Sequence, residues 1–159
     1  NPVRDDGMED LVRRLRHLTA LTHLDLSDTG VADAGTSALA SCIRRKFLPN
    51  LKHLFLHFNS IGDSGAAELL QALATMQTLA IVDLDLSRNP VGDQAFMAVG
   101  HDVTRLTALT RLDLSLTSVT EPTIGWLSTA LPSLSALGSV TAAVTLTSSP
   151  VQAGRPPLL

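Results

Sequence analysis

Residues 51–59 read Leu51-Lys52-His53-Leu54-Phe55-Leu56-His57-Phe58-Asn59, and the same phrase returns three more times. It stands at 21–29 as LTHLDLSDT, at 81–89 as IVDLDLSRN and at 109–117 as LTRLDLSLT. The shared pattern is L-x-x-L-x-L-x-x-N/T, anchored at its end by Thr29, Asn59, Asn89 and Thr117. Leucines two apart point to one side of a short strand. Working outward, each anchor is followed two residues later by Val31, Ile61, Val91 or Val119. Steps of four then lead to Gly35, Gly65 and Ala95 (Thr123 in the last unit), to Leu39, Leu69, Val99 and Leu127, and to Ile43, Leu73, Val103 and Leu131. Such steps mark one face of a helix. Each unit is therefore a strand, a turn and a helix.

The stretch Ile61–Leu73, IGDSGAAELLQAL, resembles the ribonuclease-inhibitor type of leucine-rich repeat. Val31-Ala32-Asp33-Ala34-Gly35 and Val91-Gly92-Asp93-Gln94-Ala95 are weaker copies. The resemblance runs from residue 1 to about 137. It implies an α/β solenoid, a curved horseshoe fragment with parallel strands on the concave face and helices on the convex face. The family it points to includes nuclease inhibitors, activators of small GTPases, actin-filament cappers and ligand-sensing domains. What these share is protein binding.

The frame also fits the start of the chain, where Asn1-Pro2-Val3 matches Asn89-Pro90-Val91 and Gly7, Leu11 and Leu15 fall on helix positions. The chain thus reads as opening inside a repeat, as a fragment of something longer. Residues 1–137 are expected to form about five units, the first truncated. Residues 138–146 read as a degenerate last strand or cap and 147–159 as a flexible tail. Of the 159 residues 45% are hydrophobic but only 3% aromatic, so Leu, Ala and Val supply the packing. The net charge of −3 argues against a nucleic-acid footprint. Cys42 is the only cysteine and cannot form an internal disulfide; it reads as a small buried residue. No membrane span or signal peptide is expected, and an intracellular, cytoplasmic home fits these features.

Two polar positions carry structural expectations. Asp33, Asp63 and Asp93 stand where a carboxylate can cap the free N–H groups of its own helix. The anchor Asn can bond main-chain groups of the turn leaving the strand, and stacked copies would form a ladder. Thr can do part of this with one hydroxyl. Removing the Asn59 amide should cost about 1–3 kcal/mol.

The outward residues of the strands form columns across the repeats. His23, His53, Asp83 and Arg111 make one, and Asp25, Phe55, Asp85 and Asp113 the next. Ser27, His57, Ser87 and Ser115 make a third, and Asp28, Phe58, Arg88 and Leu116 a fourth. The second repeat projects His53, Phe55, His57 and Phe58 from one strand. Exposed aromatics there would anchor a partner, and the flanking Asp25, Asp83, Asp85 and Asp113 suit a basic or amphipathic segment. The partner-binding candidates are therefore His23, Asp25, His53, Phe55, His57, Phe58, Asp83, Asp85, Arg88, Arg111 and Asp113. The competing reading is that a neighbouring chain covers the two Phe residues.

Catalysis and cofactors find little support. His53 and His57 are about 13 Å apart along a strand, too far to share one metal ion. Neither G-x-S-x-G nor a phosphate-binding G-x-x-x-x-G-K-[ST] occurs. Arg13, Arg14 and Arg16, with Arg44, Arg45 and Lys46, lie at helix ends, where they complement the dipole; the alternative is an acidic partner, an anionic membrane surface or RNA. The sequence thus predicts a non-enzymatic module, without cofactor or metal, that binds another protein through its concave strand face. The alternatives are a structural component of a cytoskeletal or ciliary assembly and an activator of small GTPases.

Overall fold

The computed structural model describes residues 3–76 and 79–131. The expected cap (138–146) and tail (147–159) lie outside them. The chain alternates α1 (Arg4–Leu15), β1 (His23–Asp25), α2 (Asp33–Arg44), β2 (His53–Phe55), α3 (Asp63–Thr75), β3 (Asp83–Asp85), α4 (Asp93–Val99), β4 (Arg111–Asp113) and α5 (Glu121–Ala130). The four strands make one parallel sheet in sequence order. Its register pairs His23 with His53, His53 with Asp83 and Asp83 with Arg111. The columns expected from the repeat frame are therefore real neighbours. Among the described residues no helix is long and apolar enough to cross a membrane.

The core lies between sheet and helices. Leu54 and Leu84 are fully buried, while Leu24 and Leu112 at the two ends of the sheet keep 8% exposure each. Burial thus depends on having a repeat on both sides, as a stacked array requires. One departure from the expected helices occurs after Val99. Gly100 takes φ 54° and the chain continues as a 3-10 turn, Gly100–Arg105, that still buries Val103. The steps of four placed both residues inward but did not reveal the break. A left-handed Gly ends a helix at little cost.

Two side-chain ladders bind one repeat to the next. Asn59 Oδ1 accepts the N–H groups of Thr29 (3.2 Å) and Val31 (3.0 Å) in the preceding repeat. Its Nδ2 donates to the carbonyls of Leu26 (2.8 Å) and Leu56 (3.0 Å). Asn89 repeats this with the Ile61 N–H (3.0 Å) and the carbonyls of Leu56 and Leu86 (2.8 and 3.1 Å). At Thr29 and Thr117 the hydroxyl instead donates within its own turn, to Leu26 O (2.6 Å) and Leu114 O (2.7 Å).

The second ladder corrects the capping expectation. Among the described residues Asp33, Asp63 and Asp93 bond no N–H group of their own helices. Each reaches forward to the start of the next one. Asp33 Oδ1 accepts the N–H groups of Gly62 (2.7 Å) and Gly65 (3.1 Å), and Asp5 does the same for Ala32 and Gly35 (2.8 and 2.9 Å). Asp63 takes the Gly92 N–H (2.6 Å), and Asp93 the N–H and hydroxyl of Thr120 (2.9 and 2.8 Å). The capping chemistry is as expected, but the helix start served is that of the neighbour.

This approach explains the small residues at the helix starts. A Cβ on Gly65 would sit 2.6 Å from Asp33 Oδ1 and 2.8 Å from Asp33 Cα, and backbone cannot yield. Ala95 occupies the equivalent place beside Asp63, which bonds Gly92 but not the Ala95 N–H among the described residues.

Two predictions follow from this packing. Gly65→Ala should destabilise by about 1–3 kcal/mol through overpacking. Gly125→Ala, where an added Cβ meets nothing within 4 Å, should stabilise by about 0.5–1 kcal/mol; equal effects in urea melts would contradict the close-approach account. The Thr120 N–H, with lesser help from the Thr123 and Thr120 hydroxyls, holds the Asp93 carboxyl below its ordinary 3.8 against the opposing effect of burial. A depressed folded pKa means that the support given to α5 is complete above the unfolded value, about 3.9, and is lost as pH falls through the folded one. Carbon-13 titration should place the Asp93 midpoint below 3.8, and Asp93→Ala should flatten the acid loss of α5 helicity.

Candidate functional site

The strands are short because the phrase offers only three residues before the chain turns, yet the ladder runs on. Leu26 N–H donates to Phe55 O and Asp28 N–H to His57 O (2.9 and 3.0 Å), and the same pairs recur in the next two repeats. Twelve outward side chains of the first three columns therefore stand on one hydrogen-bonded surface.

Aromatic character concentrates at its first two columns. The rings of His23 and His53 stack with centroids 4.1 Å apart and planes 15° off parallel. Phe55 continues this surface at 6.4 Å from His53. Thr22 Oγ1 lies 2.8 Å from His23 Nδ1 and fixes the outer ring. Phe58 does not share the strand. It follows the end of β2 with a left-handed backbone, φ 56°, and is 54% exposed. The four aromatic side chains expected from one strand are thus a stacked group of His53 and Phe55, with His57 beyond it and Phe58 at the rim.

The acidic residues are largely engaged by neighbours. Asp83 Oδ2 lies 3.3 Å from Arg111 and 3.8 Å from His53 Nδ1. Arg111 also reaches Asp113 at 3.6 Å, and His57 Nδ1 lies 3.6 Å from Asp85. Asp25, Asp85 and Asp113 each accept the N–H two residues on, at Ser27, Ser87 and Ser115, at 2.9–3.0 Å. The Ser27 hydroxyl and N–H hold the Asp25 carboxyl below its usual range. Asp85 is nearly buried at 8% exposure. The flanking carboxylates therefore serve first to order the strand ends, since a carboxylate accepting N–H bonds gains more than an exposed ion pair would give.

Elsewhere, Arg13 pairs with Glu9 and Asp10 on its own helix, and Arg44 approaches Glu68 at 3.9 Å. Burial pushes the Cys42 thiol up to about 11, so it stays protonated. The sequence frame had no signal for one convex feature. Phe96, Met97, Gly100, Pro122, Thr123 and Trp126 line an apolar groove of about 240 Å³. Gly100 helps to form it, and only the helix break puts that residue there.

The leucine-rich repeat family model matches residues 17–40 and 47–70, the strands β1 and β2 with most of the helices that follow them. No curated protein sequence matches the chain. Among solved structures, the tropomodulin C-terminal domain from Caenorhabditis elegans is similar at a TM-score of 0.64 and 19% identity, covering 85% of this chain and 83% of that one. A leiomodin-1 fragment named Actin-Binding Site 2 is similar at a TM-score of 0.51 and 15% identity, covering 82% and 78%. With four parallel strands in register, two matched repeats and these neighbours, the chain is a leucine-rich repeat solenoid.

Proposed function

We propose that this solenoid is a protein-interaction module, without catalysis or cofactor of its own, that holds a partner protein on its concave strand face. The observation that carries the reading is the aromatic surface of His23, His53 and Phe55, continued by Phe58 at 54% exposure. Exposed aromatic groups on a rigid support lose little entropy on contact and contribute strongly to interfaces. The internal pairing of Asp83, Asp85 and Asp113 removes much of the case for a purely basic partner. Apolar contact then contributes the affinity and the paired charges the orientation. A cytoplasmic setting is part of this proposal.

A second reading is favoured by one comparison. The leiomodin-1 fragment bears an actin-binding name, and the same fold here supports a role as a structural component of a cytoskeletal assembly, with actin as the first partner to test.

The two readings separate in one experiment. The chain and its His53→Ala/Phe55→Ala/His57→Ala/Phe58→Ala variant are compared for recovery of proteins from cell extract and for co-sedimentation with purified actin filaments. The concave reading predicts a partner recovered by the parent and reduced at least about tenfold with the variant. Equal recovery by both would contradict it. Filament binding unaffected by the variant would favour the assembly reading, with contact through another face.

A further inference from the structure

The fourth column behaves differently from the other three. Asp28, Phe58, Arg88 and Leu116 all have left-handed backbones, with φ of 52°, 56°, 54° and 57°. This conformation is unfavourable for residues with a Cβ, least so for Asp and Asn and most for bulky side chains. Gly or Asn would serve the same turn more easily. Three of the four repeats nevertheless place a large side chain there, and all four residues are exposed. Phe58 keeps 54% and Leu116 40% of its surface in water.

The row is held in place by the continuing ladder. Asp28 N–H donates to His57 O, Phe58 N–H to Ser87 O and Arg88 N–H to Ser115 O, at 2.8–3.0 Å. The four side chains therefore leave the rim at the strand spacing, about 4.8 Å per step. In order they present an acid, an aromatic ring, a guanidinium and an aliphatic group. Arg88 has no ion-pair partner among the described residues; Asp83 and Asp113 are already taken by Arg111. Between Asp28 and Arg88 lies an open cleft of about 280 Å³, bounded by Gly30, Phe58, Asn59 and Ser60.

We propose that this rim docks an amphipathic helix of the partner protein, lying across the strands and presenting a basic, an apolar, an acidic and an apolar side chain in that order. The inference rests on the reading of the concave side as a binding surface, and moves the principal contact to its edge. Spacing selects a helix. Positions i, i+3, i+7 and i+10 lie at roughly 0, 4.5, 10.5 and 15 Å along a helix axis. The rim residues lie at roughly 0, 4.8, 9.6 and 14.4 Å. Side chains on one face of an extended strand recur about every 6.6 Å and fall out of step by the second contact. Charge selects the order, because exchanging the acidic and basic positions sets like charges against Asp28 and Arg88.

The test uses the full chain and a displayed library of helical peptides randomised at i, i+3, i+7 and i+10. The parent should enrich the basic–apolar–acidic–apolar order, in either chain direction. Arg88→Glu should convert the acidic position to Lys or Arg and leave the others unchanged. Phe58→Asn suits the left-handed turn better, so it should melt no lower than the parent while binding the selected peptide about tenfold more weakly. Met97→Ala, at an exposed position of α4 away from the strands, should retain that peptide. No enrichment, or a consensus indifferent to Arg88→Glu, overturns the proposal. Loss with His53→Ala/Phe55→Ala but not with Phe58→Asn overturns the rim contact and leaves the concave-face reading standing.

Discussion

The carboxamide of Asn59, accepting two N–H groups from the repeat before it and donating to carbonyls on both sides, is the interaction on which the stack depends. The chain must leave each strand in a sharp turn, and the turn removes main-chain groups from the sheet ladder. Buried and unpaired, each such group would cost about 1–3 kcal/mol. A carboxamide supplies donor and acceptor from one short side chain, which a hydroxyl cannot do across the gap. Asp33 does the complementary work in the other direction, closing the start of the following helix. The second and third repeats are thus tied backward by Asn59 and Asn89 and forward by Asp63 and Asp93, and their strand leucines Leu54, Leu56, Leu84 and Leu86 are fully buried between neighbours on both sides.

Most of this architecture was legible in the sequence because the repeat samples the same environment four times. The strand leucines, the β-branched residue after each anchor and most of the helix steps landed where expected, and the columns matched the observed register. The Asn ladder was legible for the same reason. The forward reach of Asp33 was not, because a carboxylate at a helix start looks the same in sequence whether it serves its own helix or the next. The small residues at Gly35 and Gly65 were the available clue, since an Asp capping its own helix would not require them. The break at Gly100 was hidden by Val103, which is buried in a 3-10 turn as it would be in a helix.

The site was legible in composition and not in geometry. Alternation assigned Phe55 and Phe58 to one surface, but strand periodicity says nothing about the residue at which a backbone turns left-handed. Asp28 alone, a residue tolerant of that conformation, hinted at a turn. Nor does a list of carboxylates show that Arg111 and two histidines lie beside them. Once the register is known, those pairs follow from adjacency. The candidate surface then changes from an aromatic patch in an acidic field to an aromatic strand bordered by a row of exposed side chains on a fixed pitch. Rigidity of that pitch is what the two ladders would contribute to the proposed recognition.

The most direct test of the account is amide hydrogen exchange in Asn59→Thr. Threonine keeps the local bond within its turn, as Thr29 and Thr117 do, and removes the contact with the preceding repeat. Protection should be lost at the Thr29 and Val31 amides, with faster exchange through β1 and α2, while the Ile61 amide stays protected by Asn89. Unchanged protection at Val31 would show that the repeats hold together without the carboxamide and would contradict the central claim.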